Sequence, residues 1–211
     1  MDLFELTDFA HTELFADIAH PWEALARLKS YLKQSSREIR GEVSPHAYLV
    51  GDGIEIGEGT VVEPGAYIKG PCIIGKECQI RHGAYIRGDL VTGDRCVIGH
   101  ATEVKHAIFL NGAQAGHFAY VGDSILGNGV NLGAGVKLAN FKLAGQTISV
   151  GEHKTGLRKL GAILGDGCSL GCNSVANPGT ILGKGTCCHP CTSLGGIIGP
   201  KKLLGVRYVS D

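Results

Sequence analysis

Aliphatic residues recur through the middle of this chain at intervals of six. Stepping from Val50 gives Ile56, Val62, Ile68, Ile74, Ile80 and Ile86, all β-branched. The next step lands on Thr92, one residue past Val91, and the count resumes at Ile98 and Val104. Five-residue steps carry Val104 to Phe109 and Val121 to Leu126, with Ala115 keeping the sixfold count between them. Leu132 and Leu138 follow, and a second run holds Leu164, Leu170, Ala176, Leu182, Cys188 and Leu194. Glycine often comes next, as at Gly57, Gly75, Gly99 and Gly127, and a small residue stands two places before, as at Thr60, Ala66, Cys72 and Cys78. Such hexads predict short strands that end in turns suited to glycine. Three strands close a coil of about 18 residues, and each inward aliphatic residue stacks on its counterpart at roughly the 4.8 Å strand spacing.

The fold expected is therefore all-β, a parallel β-helix of about seven coils over residues 41–200. The count fails between Leu138 and Leu164, so residues 143–158 are predicted to form a protruding loop. Residues 1–40 do not repeat. Pro21, Trp22, Leu25, Leu28 and Leu32 fit a helix with proline in its first turn, and a shorter one is predicted over residues 12–19. This stretch is expected to cap the open edge of the first coil, with docking of a partner as the other reading. Residues 201–211 form a tail that leaves the repeat.

Composition agrees. Glycine supplies 33 of the 211 residues, well above an average of about 7%, as many tight turns require. Acidic and basic residues balance at 20 each, which leaves no global field to attract nucleic acid or a membrane surface. No apolar run is long enough to span a membrane. The acidic first residues do not have the form of a secretory signal, so a cytoplasmic location with reduced thiols is expected for the eight cysteines. Cys72, Cys78, Cys96 and Cys168 fall in the small-residue slot and suit packing.

Candidate chemistry lies where other residues replace the turn glycine. Lys69, Arg87 and Lys105 are spaced by 18, so they should stack on one edge about 5 Å apart. Cations that close repel unless an anion lies between them, and phosphate suits the arginine fork and the lysine point charge. The alternative is a solvated ladder relieved by Glu63 or Asp89. His117 follows on the perturbed stretch and is a candidate general base for an attacking amine at neutral pH.

The segment AGHFAYVGDSILGNGVNLGAG resembles the acetyltransferase domain of the bifunctional N-acetylglucosamine-1-phosphate uridyltransferases and related sugar-1-phosphate nucleotidyltransferases. YIRGDLVTGDRCVIGHATEVKHA and RKLGAILGDG extend the likeness over about residues 60–185. The resemblance implies a left-handed coil, a homotrimer with sites between neighbouring coils, and acetyl transfer from acetyl-CoA to an amino-sugar phosphate with no metal required. It implies that His117 is the base, that Arg87 and Lys105 hold the phosphate, and that Tyr120 and Asn131 contact sugar and phosphate. Asn140 would orient substrate or cofactor, with Lys142 as the lysine beyond it. Ala134, through its amide, and Cys172 would meet the cofactor. No glycine-rich nucleotide loop occurs in residues 1–40, so pyrophosphorylase activity is not expected.

Other functions remain open at this level. The γ-class carbonic anhydrases hold zinc with three histidines on such a fold, and His82, His100 and His106 have suggestive spacing. Cys187, Cys188, His189 and Cys191, with Cys168 and Cys172 a coil earlier, could hold a structural zinc. A non-catalytic trimeric scaffold or regulatory subunit is the further alternative. Arg207 in the tail is a conceivable contact for a coenzyme A phosphate, without support from spacing.

Overall fold

The computed structural model describes residues 2–205. Its short parallel strands stack into a three-faced β-helix. The first face is a nine-stranded sheet running from Glu42–Val43 to Leu203–Leu204. The second runs from Tyr48–Val50 to Ser193–Leu194, and the third from Ile54–Ile56 to Ile197–Ile198. The solenoid has about nine turns, so the expected seven is too few. One reason is at the tail: Leu203–Leu204 pairs with Cys187–Cys188 and continues the first face. Arg207 lies outside the described residues.

The hexad aliphatics build the core. Ile56, Ile68, Ile86, Ile98, Val104, Val121, Leu138 and Leu164 are fully buried and stack into one continuous cluster. Thr92 keeps this register opposite Phe109 and places its hydroxyl within 3.0 Å of the Gly75 amide. The first coil departs from the pattern. Leu49 pairs with Ile68 and packs on the core, whereas Val50 pairs with Lys69 and is exposed. Glycine is required where coils approach most closely: a Cβ on Gly99 would stand 1.7 Å from the Gly116 carbonyl oxygen.

The five-residue steps have a structural counterpart at the second corner, where the second face turns into the third. Glu103–Phe109 and Tyr120–Leu126 run through this corner as continuous strands. His106 and Asp123 make the bend with φ of +47° and +48°, a region that non-glycine residues seldom occupy.

Residues before the solenoid cover its open edge, as expected of a cap, only at residues 38–40, which bridge to Ile56 at the start of the third face; the rest lie elsewhere. A 3-10 turn covers Thr12–Phe15, and helix α1 spans Glu23–Tyr31, starting two residues after Pro21. Phe9, Leu14, Trp22, Leu25, Leu28 and Leu32 do not close the first coil. They lie along the outside of the third face, against Ile73, Val91, Ile108, Ile125, Ile163 and Ile181. Burying this outward aliphatic row on a second apolar layer is stabilising, since the gain scales with apolar area removed from water. Residues 143–158 share that layer. Ser149–Val150 and His153–Lys154 pair as an antiparallel hairpin, and Ile148 and Val150 are buried in the flank cluster. Only part of the segment projects as expected, with Leu143 fully exposed. His20 stacks on Trp22 and meets His153 at 4.6 Å between ring centroids, joining the hairpin to the N-terminal segment.

Leu28 is wholly buried in this second layer. Leu28→Ala is expected to destabilise the protein by about 2–5 kcal/mol, as other large-to-small core changes do. Equilibrium chemical denaturation checks this, and a change near zero would mean that the layer contributes little.

Candidate active site

The solenoid arranges the predicted residues in two columns, one at each end of the second face. At the second corner, Tyr67 pairs with Tyr85 and Tyr85 with Glu103, so Lys69, Arg87 and Lys105 follow in register as the sequence predicts. The next member of the column is Gly122, which pairs with Lys105. A Cβ there would stand 2.7 Å from both the Tyr120 hydroxyl and the Asn140 side-chain nitrogen. The glycine opens a gap that those two side chains occupy. The result is a cleft of about 290 Å³ lined by Arg87, Lys105, Tyr120, Asn140, Phe141 and Lys159.

Carboxylates steady the cationic column, though not those first considered. Arg87 donates to Glu103 at 2.7 Å, which raises the guanidinium pKa further. Glu63 instead accepts from the His82 amide at 2.7 Å. Lys105 Nζ lies 3.3 Å from Asp123 Oδ2, and the Asn140 amide donates to the same oxygen. His106 Nδ1 lies 2.9 Å from Asp123 Oδ1. Burial alone would raise the Asp123 carboxyl, but the hydrogen bonds from His106 and Asn140 and the charge of Lys105 outweigh it and hold the pKa below the usual value. Burial pushes the Tyr120 phenol up.

The first corner carries the other column. His100 pairs with His117, the His117 carbonyl accepts from Gly135, and Ala134 and Cys172 follow through the bonds Asn173 to Ala134 and Cys191 to Cys172. His117, Ala134 and Cys172 thus occupy successive coils on one edge, with His117 and Cys172 exposed. His117 does not line the cleft; it stands at the opposite end of the second face, three residues before Tyr120. Asn131 faces outward on the first face between Gln114 and Ser169, away from the cleft. Lys142 also misses the cleft lining and donates to the Thr147 carbonyl within its own loop. Lys159, on the returning stem of that loop, takes the place beside Asn140.

Sequence reasoning missed Glu103, Asp123, Phe141 and Lys159 as site residues. Asp123 was detectable, because His106, Asp123 and Asn140 are 17 residues apart in turn and the two five-residue steps mark the shortened coils.

The histidines raised for zinc are committed elsewhere. His82 and His100 stack with centroids 5.5 Å apart, and each Nδ1 meets a backbone carbonyl. His106 points away to Asp123 and α1. Among the described residues, no group of three or more His, Cys, Asp or Glu side chains is placed to hold a metal ion, which includes the Cys187–Cys191 region. Cys72, Cys78, Cys96 and Cys168 are buried in the core as expected.

Known proteins agree with this architecture. Residues 68–160 match the family described as the GMPPB C-terminal domain. The chain is 36% identical over 171 residues to the bifunctional protein GlmU of Methanococcus maripaludis strain C7, covering 80% of this chain and 41% of that relative. It is 34% identical over 166 residues to the uncharacterized acetyltransferase YaiX of Escherichia coli O6:K15:H31, covering 75% of this chain and 72% of that protein. The chain belongs to the hexapeptide-repeat acetyltransferases. A solved UDP-N-acetylglucosamine acyltransferase of Francisella novicida shares the fold, with a TM-score of 0.54 at 16% identity over 74% of this chain and 59% of that one. The chain spans about two fifths of the length of its bifunctional Methanococcus relatives. No helix among the described residues is long and apolar enough to cross a membrane.

The depressed Asp123 pKa gives a signed expectation. Its stabilisation is present above the unfolded carboxyl value near 4 and is lost as pH falls through the lower folded value. Asp123→Asn removes this contribution. The unfolding free energy of the wild type should therefore fall more steeply than the variant's between about pH 5 and pH 2. Parallel slopes in acid denaturation would contradict the assignment.

Proposed function

We propose that this acetyltransferase moves the acetyl group of acetyl-CoA onto the amine of an amino-sugar phosphate, and that it works as a homotrimer. Glucosamine 1-phosphate is the first acceptor to test. The observation that carries the reading is the cleft at the second corner. It combines Arg87 and Lys105, the two cations the resemblance assigns to phosphate, with Tyr120 and Asn140. Lys159 adds a third cation and Phe141 an apolar wall. Glu103 and Asp123 offset two of these charges, so the lining keeps a net charge of about +1, suited to an anion.

The chemistry needs a proton acceptor and a polarised thioester. The acceptor amine attacks the thioester carbonyl carbon, an N–C bond forms and the C–S bond breaks. His117, which within one chain stands at the far end of the second face from the cleft, reaches the acceptor from a neighbouring protomer and takes the proton from the amine as it becomes an amide, and the departing thiolate of coenzyme A takes a proton in turn. The Ala134 amide, which donates no hydrogen bond among the described residues, is the donor for the negative charge that develops on the thioester oxygen. Cys172, one coil further along the same edge, meets the cofactor. Tyr120 contacts the sugar and its phosphate and Asn140 orients the acceptor, while Asn131, which faces away from the cleft within one chain, meets the sugar only from a neighbouring protomer of the trimer. Lys159 replaces Lys142 as the lysine beyond Asn140 in this scheme. No step requires a metal ion.

Thiol release from acetyl-CoA with glucosamine 1-phosphate tests the reading, with wild type and His117→Ala in parallel. The expected result is wild-type activity that falls by about 10²-fold or more in the variant. Equal rates would remove His117 as the base, and no wild-type rate with any amino-sugar phosphate would remove the acceptor class.

A further inference from the structure

His106 has no part in the chemistry above and does not line the cleft. Its ring is nonetheless held on both sides. Nε2 lies 3.1 Å from the carbonyl oxygen of Leu25 in α1, and Nδ1 lies 2.9 Å from Asp123 Oδ1. Both partners, a carboxylate and a main-chain carbonyl, are acceptors that hold the ring from its two sides. The other oxygen of Asp123 receives Lys105 and Asn140, both of which line the cleft. Two cleft residues thus take their position from one carboxylate. That carboxylate takes its position from His106, which is itself anchored to the main chain of a helix outside the solenoid.

We propose that His106 is a positioning residue for acceptor binding: through Nδ1 it holds Asp123 and thereby sets where Lys105 and Asn140 meet the acceptor's anionic group, while through Nε2 it ties this unit to α1. The proposal rests on the cleft being the acceptor site. Side chains that hold a binding group in one geometry affect the ligand bound there and leave a second ligand's affinity alone. A histidine that only filled space would alter stability and both substrates together.

Two variants separate the two hydrogen bonds. His106→Asn keeps a donor near the Nδ1 position and suits the positive φ, but gives up Leu25. His106→Gln reaches toward Leu25 and gives up Asp123. With acetyl-CoA and glucosamine 1-phosphate, His106→Gln is expected to raise the acceptor KM about tenfold while the acetyl-CoA KM stays within about twofold. His106→Asn should recover most of that loss. The His106→Gln effect should shrink to less than about twofold when Lys105 is already Met, because coupled residues are not additive. Equal rises in both KM values, or full additivity with Lys105→Met, would overturn the proposal. If the wild type accepts no amino-sugar phosphate, the acceptor reading fails separately. The anchoring is then read by amide hydrogen exchange on the full chain. Exchange across Glu23–Tyr31 should quicken in His106→Asn and not in His106→Gln, and equal exchange in the two variants would overturn it.

Discussion

The register of the parallel ladder is the constraint on which everything else here depends. Each residue sits over its counterpart one coil away, at the strand spacing of about 4.8 Å. A side chain's environment is therefore set by the same position in neighbouring coils. In the core this produces unbroken stacks such as Ile68 on Ile86. At the surface it forces like residues together, and the cations at Lys69, Arg87 and Lys105 are the consequence. Such a column is stable only with opposing charge close by. Glu103 and Asp123 supply it, each from the coil after that of the cation it meets, and the cleft is the space left where Gly122 ends the cationic run.

Loss of one residue per coil at the second corner gives that column its special character. The shortened turns place His106, Asp123 and Asn140 in register at successive levels. A buried carboxylate with donors on both oxygens is costly to disturb, since each donor left without it loses a charge-assisted partner. The inserted segment leaves at Asn140 and returns at Leu160, whose amide donates to the Asn140 carbonyl. Phe141 and Lys159, on its two stems, therefore reach the cleft although they are 18 residues apart.

Much of this was legible in the amino-acid sequence, for a simple reason. A solenoid converts sequence period directly into spatial stacking, so the hexads placed the core and the spacing of 18 placed the cations. What was not legible depends on contacts that carry no period. Nothing in residues 1–40 says which surface they cover. The clue lay elsewhere, in the apolar residue that precedes the inward one on the third face: Ile73, Val91, Ile108, Ile125, Ile163 and Ile181. An outward aliphatic row of that length needs a cover, and reading it would have placed the helix on the flank. Lys142 and Lys159 show a second limit. Both are loop-stem lysines, and only the path of the loop decides which one faces the cleft. Val50 shows a third, because one extra residue in the first coil hands the inward position to Leu49.

The central claim is that the thioester on the His117 edge of one protomer and the phosphate on the Arg87–Lys105 edge of its neighbour meet in one site of the trimer. A crystal structure with coenzyme A and glucosamine 1-phosphate tests this most directly. The account predicts the cofactor sulfur beside His117, with the cofactor following the edge of Ala134 and Cys172, and the sugar phosphate on Arg87 and Lys105. A cofactor bound along another edge, or a phosphate away from that cationic pair, would contradict it.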